Sequence, residues 1–243
     1  MTSSPKSSAL RNIVITGASR GMGRAMAEKF GAGGCNLFLC ARNTKALAQV
    51  CGELQTKFPS IKVFFFAADL SQKIDALNLS LAIKEKFERV DVLINNAGQF
   101  IPGSIYNEKE GVLEEMLGVN LYSAYYLTRA LLPSMIQNKE GHIFNICSIA
   151  SLKAYDNGGS YSISKFALMG FSKNLREELK PYNIKVSSVF PGAVYTASWE
   201  GSGVSRGRIM EVNDIAMMVY TASLLSPQAC VEEIILRPQM GDL

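Results

Sequence analysis

The chain has 243 residues, 48% of them hydrophobic and 19% charged, enough for one large α/β domain or two small ones and too apolar for a disordered or fibrous protein. Its formal charge of +4 balances 25 basic against 21 acidic residues spread along the chain, and without a Lys/Arg stripe no nucleic-acid partner is expected. No apolar run reaches the roughly 18 residues that cross a bilayer, so no membrane contact is expected either.

Residues 1–9 are Ser-rich and polar, without the apolar stretch of a secretory signal. They read as a flexible tail on a cytoplasmic protein. The strand-and-helix pattern starts after them, at Arg11. Short apolar runs then alternate with longer amphipathic ones, the pattern of parallel strands joined by crossover helices. Strands are expected at about Asn12–Thr16, Asn36–Cys40, Lys62–Ala67, Val92–Asn95, His142–Cys147, Lys185–Phe190 and Glu233–Leu236. Helical patterns fill the gaps, among them Arg24–Phe30, Ser71–Phe87, Glu108–Gln137, Tyr161–Lys180 and a Met-containing, core-facing one at Met210–Leu225. The strands are rich in Val, Ile, Leu and Phe with little polar alternation, which implies burial on both faces. The expected fold class is α/β, a Rossmann-like doubly wound sheet of about seven parallel strands with helices on both faces, in a single domain over residues 10–243. The loops after the strands' C-terminal ends then share one edge, where function should sit.

The first strand runs into Thr16-Gly17-Ala18-Ser19-Arg20-Gly21-Met22-Gly23 and then a helix. Glycines there let backbone N–H groups and the helix N-terminus approach a pyrophosphate. The spacing is G-x-x-x-G-x-G, not the G-x-G-x-x-G of the general dinucleotide motif. NAD enzymes carry an acid at the end of the second strand to bind the ribose 2′-OH. Here that stretch reads Leu39-Cys40-Ala41-Arg42, and a guanidinium suits a 2′-phosphate instead. Arg20 can approach the same phosphate, so the cofactor expected is NADP(H). Asp69, in Ala68-Asp69-Leu70 after the third strand, has the composition of a helix N-cap as well as of a ligand contact.

Further along stands Tyr161-Ser162-Ile163-Ser164-Lys165, with Ser148 thirteen residues upstream at a strand end. Positions i and i+4 share a helix face, so Tyr161 and Lys165 project together. An ammonium beside the phenol is expected to lower its pKa from about 10 toward a useful range. Tyr161 can then exchange a proton with a carbonyl oxygen, and Ser148 can donate to the same oxygen as negative charge builds.

The T-G-x-x-x-G-x-G turn, Asn95-Asn96-Ala97-Gly98, Asn120, Ser148, the Y-x-x-x-K and Pro191-Gly192, in this order, resemble the short-chain dehydrogenase/reductase family. The resemblance implies a carbonyl or alcohol substrate and assigns the chemistry to Asn120, Ser148, Tyr161 and Lys165, with Asn120 supporting Lys165 through a water. It implies cofactor contacts at Gly17, Ser19, Arg20, Gly21, Met22, Gly23, Ala41, Arg42, Asp69, Leu70, Asn96, Ala97, Gly98, Tyr161, Lys165, Pro191, Gly192, Val194 and Thr196. Asp69 would meet the adenine, and Val194 and Thr196 the nicotinamide carboxamide. It also implies a homodimer or homotetramer built partly on the helices around Glu108–Gln137 and Tyr161–Lys180.

The stretches Pro191–Trp199 and Val231–Gln239 resemble bacterial sepiapterin-reductase-like members. They bring a pterin side-chain carbonyl, as in sepiapterin, into the substrate classes, beside other ketones, diketones and 3-oxoacyl thioesters. Trp199 is either a stacking surface for substrate or a lid anchor. A non-catalytic NADPH-binding regulator on the same fold is the competing function. The five cysteines, Cys35, Cys40, Cys51, Cys147 and Cys230, form an odd set with no C-x-x-C and read as reduced thiols. With a single histidine, His142, and no clustered His, Cys or carboxylate ligands, no metal is expected.

Overall fold

The computed structural model describes residues 10–196 and 203–243. Seven strands, β1 (Asn12–Thr16), β2 (Asn36–Ala41), β3 (Val63–Ala67), β4 (Val92–Asn95), β5 (Gly141–Ile146), β6 (Ile184–Pro191) and β7 (Glu233–Leu236), form one sheet in the order β3-β2-β1-β4-β5-β6-β7. Every pairing is parallel. All seven expected strands are present, with ends shifted by a residue in β2, β3, β5 and β6. The fold is the expected doubly wound, Rossmann-like α/β sheet.

Seven α-helices accompany the strands among the described residues: α1 (Gly21–Ala32), α2 (Thr44–Lys57), α3 (Lys73–Lys86), α4 (Val112–Leu117), α5 (Ser123–Asn138), α6 (Gly159–Leu179) and α7 (Val212–Ser223). Side chains alternate across each strand, so Ile13 and Ile15 pack with α1, α2 and α7 while Val14 packs with α3, α5 and α6. Both faces are therefore dry, which is why the central strands carry almost no polar alternation. Phe30, fully buried, meets Tyr220 of α7 edge-on at 5.2 Å; burying such a ring is worth about 1.5–3 kcal/mol. Several polar groups inside this core are paired with one another. Asn95 of β4 donates to Thr128 of α5 at 3.0 Å and to Asn145 of β5 at 2.8 Å, and Asn145 donates to Ser172 of α6 at 2.6 Å.

Two helix expectations change, and α7 faces the core as expected, though not through its methionines. The Glu108–Gln137 pattern is not one helix: residues 99–111 are loop, and α4 passes through a π-helical turn at Gly118–Tyr122 before α5. The helix expected from Ser71 starts at Lys73, with Gln72 at its N-cap, so Asp69 does not cap it. Asp69 instead accepts from the backbone and hydroxyl of Ser71 in a local turn, at 3.1 and 2.9 Å. In α7 the core is met by Ile215, Ala216, Val219 and Ala222, whereas Met217 and Met218 face outward. Among the described residues all five cysteines are free thiols and no group of side chains could hold a metal ion.

Candidate active site

The strand order reverses between β1 and β4, and in open parallel sheets the crevice beyond such a point is where ligands sit. The loops that meet there are Gly17–Arg20 after β1 and Asn96–Gly98 after β4. They are braced together. Thr16 Oγ1 accepts from the backbone N–H groups of Asn96 and Ala97 at 3.0 and 2.9 Å, and Asn96 Nδ2 donates to the carbonyl oxygens of Thr16 and Gly17 at 2.9 and 3.2 Å. Gly17 has φ +65°, and a Cβ at Gly23 would stand 2.6 Å from Asn96 Nδ2, so neither position admits a side chain. Asn96 is thus a brace for the glycine turn, a role that the spacing of its motif does not reveal.

Helix α1 starts from this turn with no side-chain cap and no acid in its first turn. Its N-terminal N–H groups and its dipole suit an anion. Arg20 and Arg42, at the ends of their respective turns, are both exposed, and neither is paired with a carboxylate among the described residues. This donor set fits a dinucleotide with an additional phosphate. Ser19 and Met22 lie in the same turn, partly buried, and Leu70 is buried under the loop after β3 beside Asp69.

At the far side of the crevice, β6 ends in Pro191. Gly192 donates to Leu236 O at 2.8 Å, while Met210 pairs with Ala193 and Tyr195 on either side of Val194. That bridge leaves the amide and carbonyl of Val194 itself unused by Met210. Thr196 approaches the glycine turn: a Cβ at Gly21 would stand 3.4 Å from its methyl group. Trp199 lies outside the described residues.

Between these loops, β5 and α6 bring Ser148, Tyr161 and Lys165 together. Ser148 follows β5 and caps a short 3-10 turn, accepting from Ala150 N at 3.1 Å. Its hydroxyl faces the phenol of Tyr161 closely enough to favour the phenolate. Lys165, one turn after Tyr161 on α6, is buried; its Nζ donates to Ile146 O at 2.9 Å and lies 5.9 Å from the centre of the Tyr161 ring. Asn120 sits in the π-helical turn, buried. Its carboxamide accepts from Gln99 N at 2.8 Å and donates to Gln99 O at 3.0 Å and to Ser164 Oγ at 2.8 Å, tying the β4 loop to α6. It makes no direct hydrogen bond to Lys165 among the described residues. Gly98 separates the two: a Cβ there would lie 3.2 Å from Asn120 Oδ1 and 3.5 Å from Lys165 Nζ.

The electrostatics correct one expectation. Burial pushes the Tyr161 phenol up, against a smaller opposing pull from the Ser148 hydroxyl beside it. In the protein alone desolvation of the phenolate is the dominant influence, so the net direction is up and not down. Burial likewise pushes Lys165 down, to about 8. At neutral pH the pair is a protonated phenol beside an ammonium.

Three neighbours escape sequence reasoning. Phe100 meets the Tyr161 ring edge-on at 4.9 Å. Tyr155 is close enough that a Tyr161 phenolate would raise its own pKa. Glu108 accepts from the backbone of Ser160 at 3.3 Å and from its hydroxyl. These contacts join loops far apart in the chain, and no local spacing signals them.

The sequence model described as short chain dehydrogenase matches residues 11–204. The chain belongs to the short-chain dehydrogenase family. It is an oxidoreductase. Within this family it is 33% identical, over 95% of its length and 97% of the relative's, to a sepiapterin reductase of Chlorobaculum tepidum. Its structure resembles an alcohol dehydrogenase from the archaeon Thermococcus sibiricus complexed with 5-hydroxy-NADP (TM-score 0.88, 28% identity, 95% and 97% of the two chains). It also resembles a metagenomic short-chain oxidoreductase in complex with NADP (TM-score 0.82, 32% identity, 94% and 97% covered).

Proposed function

We propose that this short-chain dehydrogenase is an NADPH-dependent carbonyl reductase in which Tyr161 is the proton donor. The reading is carried by one observation: Tyr161, with Ser148 beside it and buried Lys165 one helix turn behind it, stands next to the braced glycine turn at the sheet's reversal point. When bound, NADPH supplies the hydride that goes to the carbonyl carbon. The residues that would hold it are Gly17, Ser19, Gly21, Met22 and Gly23 at the pyrophosphate, Arg20, Ala41 and Arg42 at the 2′-phosphate, and Asp69, Leu70 and Asn96–Gly98 at the adenosine side. Pro191, Gly192, Val194 and Thr196 would hold the nicotinamide.

The chain's own part is then protonic and electrostatic. Ser148 Oγ spends one lone pair on Ala150 N–H, which leaves its proton to donate to the substrate oxygen. Tyr161 transfers its hydroxyl proton to that oxygen as the C–O double bond becomes a C–O single bond. The ammonium of Lys165 offsets the phenolate left behind, and Asn120 fixes the helix turn that carries both residues by gripping Ser164. The substrate is a ketone or diketone. Sepiapterin or a related pterin side chain is one such compound, named by the Chlorobaculum tepidum relative, and a 3-oxoacyl thioester is another.

A cytoplasmic location and a homodimer or homotetramer are part of the same proposal. No helix among the described residues is long and apolar enough to cross a membrane, and exposed Met217 and Met218 on α7 offer apolar contact area. Tyr161→Phe tests the mechanism. It should keep NADPH affinity, followed by nicotinamide fluorescence, and lose ketone reduction by a factor of at least about 10². Unchanged turnover would show that the proton comes from elsewhere.

A further inference from the structure

We infer that the substrate of this site carries an aromatic ring next to its carbonyl, held against Phe100 and Tyr155; the inference rests on the carbonyl-reductase reading. Phe100 belongs to the loop after β4 and is 47% exposed while touching Tyr161, and Tyr155, on the loop before α6, is 46% exposed. Large aromatic side chains left half in water beside a reacting group are a surface for an apolar ligand, and rings prefer edge-on or offset contacts with other rings. A polyol or phosphorylated substrate would need donors or cations there instead.

The two loops are latched, so this wall is formed before substrate arrives. Gly103 N donates to Asn157 O at 3.1 Å and Ser104 Oγ donates to Asn157 Oδ1 at 3.0 Å. Glu108 reaches across to the backbone and hydroxyl of Ser160. Asn157 and Gly159 hold positive φ, at 59° and 23°, a conformation kept by the latch around it. The Glu108 carboxylate is thereby engaged at the α6 N-terminus. Phe100 meets the Tyr161 ring at 4.9 Å, so a ring bound against Phe100 lies beside the proposed proton donor, whereas a small aliphatic ketone gains no such contact.

The test compares 1-phenyl-1,2-propanedione with 2,3-butanedione, with NADPH consumption as readout. The native enzyme should favour the phenyl compound by about tenfold or more in kcat/KM. Phe100→Ala and, separately, Tyr155→Ala should each narrow that ratio by at least about threefold while the proteins still bind NADPH. A native ratio near one, or a ratio that neither substitution changes, overturns the inference. If neither diketone is reduced, the reductase reading fails on its own account, and binding of acetophenone to the NADPH-loaded protein, by saturation-transfer NMR, decides the rest. Binding that Phe100→Ala weakens sustains the aromatic site, and absence of binding to the native protein overturns it.

Discussion

Tyr161 and Lys165 begin from opposite handicaps. Burial raises the phenol, which keeps it protonated, and lowers the ammonium to about 8, which brings its titration into an accessible range. For reduction the first is an advantage, since the proton to be donated is in place at neutral pH. The second sets a limit. As pH rises through about 8, Lys165 loses its charge and with it the offset for the phenolate formed in the reaction. The kcat/KM for NADPH-driven reduction should therefore be level from pH 6 to 7 and decline above pH 8. Lys165→Met should give a lower rate without that decline; a native profile flat to pH 10 would remove Lys165 from the mechanism. The Y-x-x-x-K spacing was enough to place both side chains on one helix face. The direction of the Tyr161 shift was not legible, because it depends on how much protein covers the ring, and that cover includes Phe100 from a loop 61 residues away.

Helix α6 carries the candidate proton donor in its first turn but opens on Gly158 and Gly159, with no side chain of its own to cap it. Glu108, 52 residues away, supplies the acceptor. A carboxylate at a helix N-terminus satisfies free N–H groups and matches the dipole, and losing a cap costs about 0.5–2 kcal/mol. Glu108→Ala should thus lower Tm by about 2–6 °C, measured by circular dichroism, and reduce kcat more than it raises KM. Glu108→Gln, which keeps an acceptor oxygen, should recover most of both. Equal losses in Gln and Ala variants would mean that the charge, not the cap, matters. At this scale the strands were legible because burial on both faces makes them uniformly apolar. The stretch before α5 was not, since Glu108 has helix-compatible neighbours and its side chain is held in a loop by distant Ser160, and nothing local requires the π-helical turn that aims Asn120 at Gln99 and Ser164.

The parallel sheet divides the molecule into two ends, with the site beyond the strand C-termini and a stability element at the strand N-termini. Parallel strands and right-handed crossovers made the edge that holds the candidate site legible, whereas the partners of His142 depend on the register of β5 against β6. His142, at the start of β5, lies 2.7 Å from Ser187 Oγ through Nε2 and stacks on Phe144 with ring centres 3.9 Å apart. Its Nδ1 is buried without a partner. Burial, helped by the charges of Lys185 and Arg11, pushes its pKa down to about 3. The folded protein therefore holds a neutral imidazole under conditions where the unfolded chain, with an ordinary pKa near 6.5, takes up a proton. Its contribution is complete above about pH 6.5 and is lost progressively as pH falls toward 3, about 3 kcal/mol by pH 4 on the relation of 1.36 kcal/mol per pKa unit. His142→Gln offers Ser187 a neutral partner that does not titrate. Urea unfolding at intervals from pH 7 to pH 4 should show the native protein losing stability faster than the variant, with the difference between the two curves narrowing by about that amount. Parallel curves would mean that the acid sensitivity of the fold comes from its carboxylates and not from this histidine.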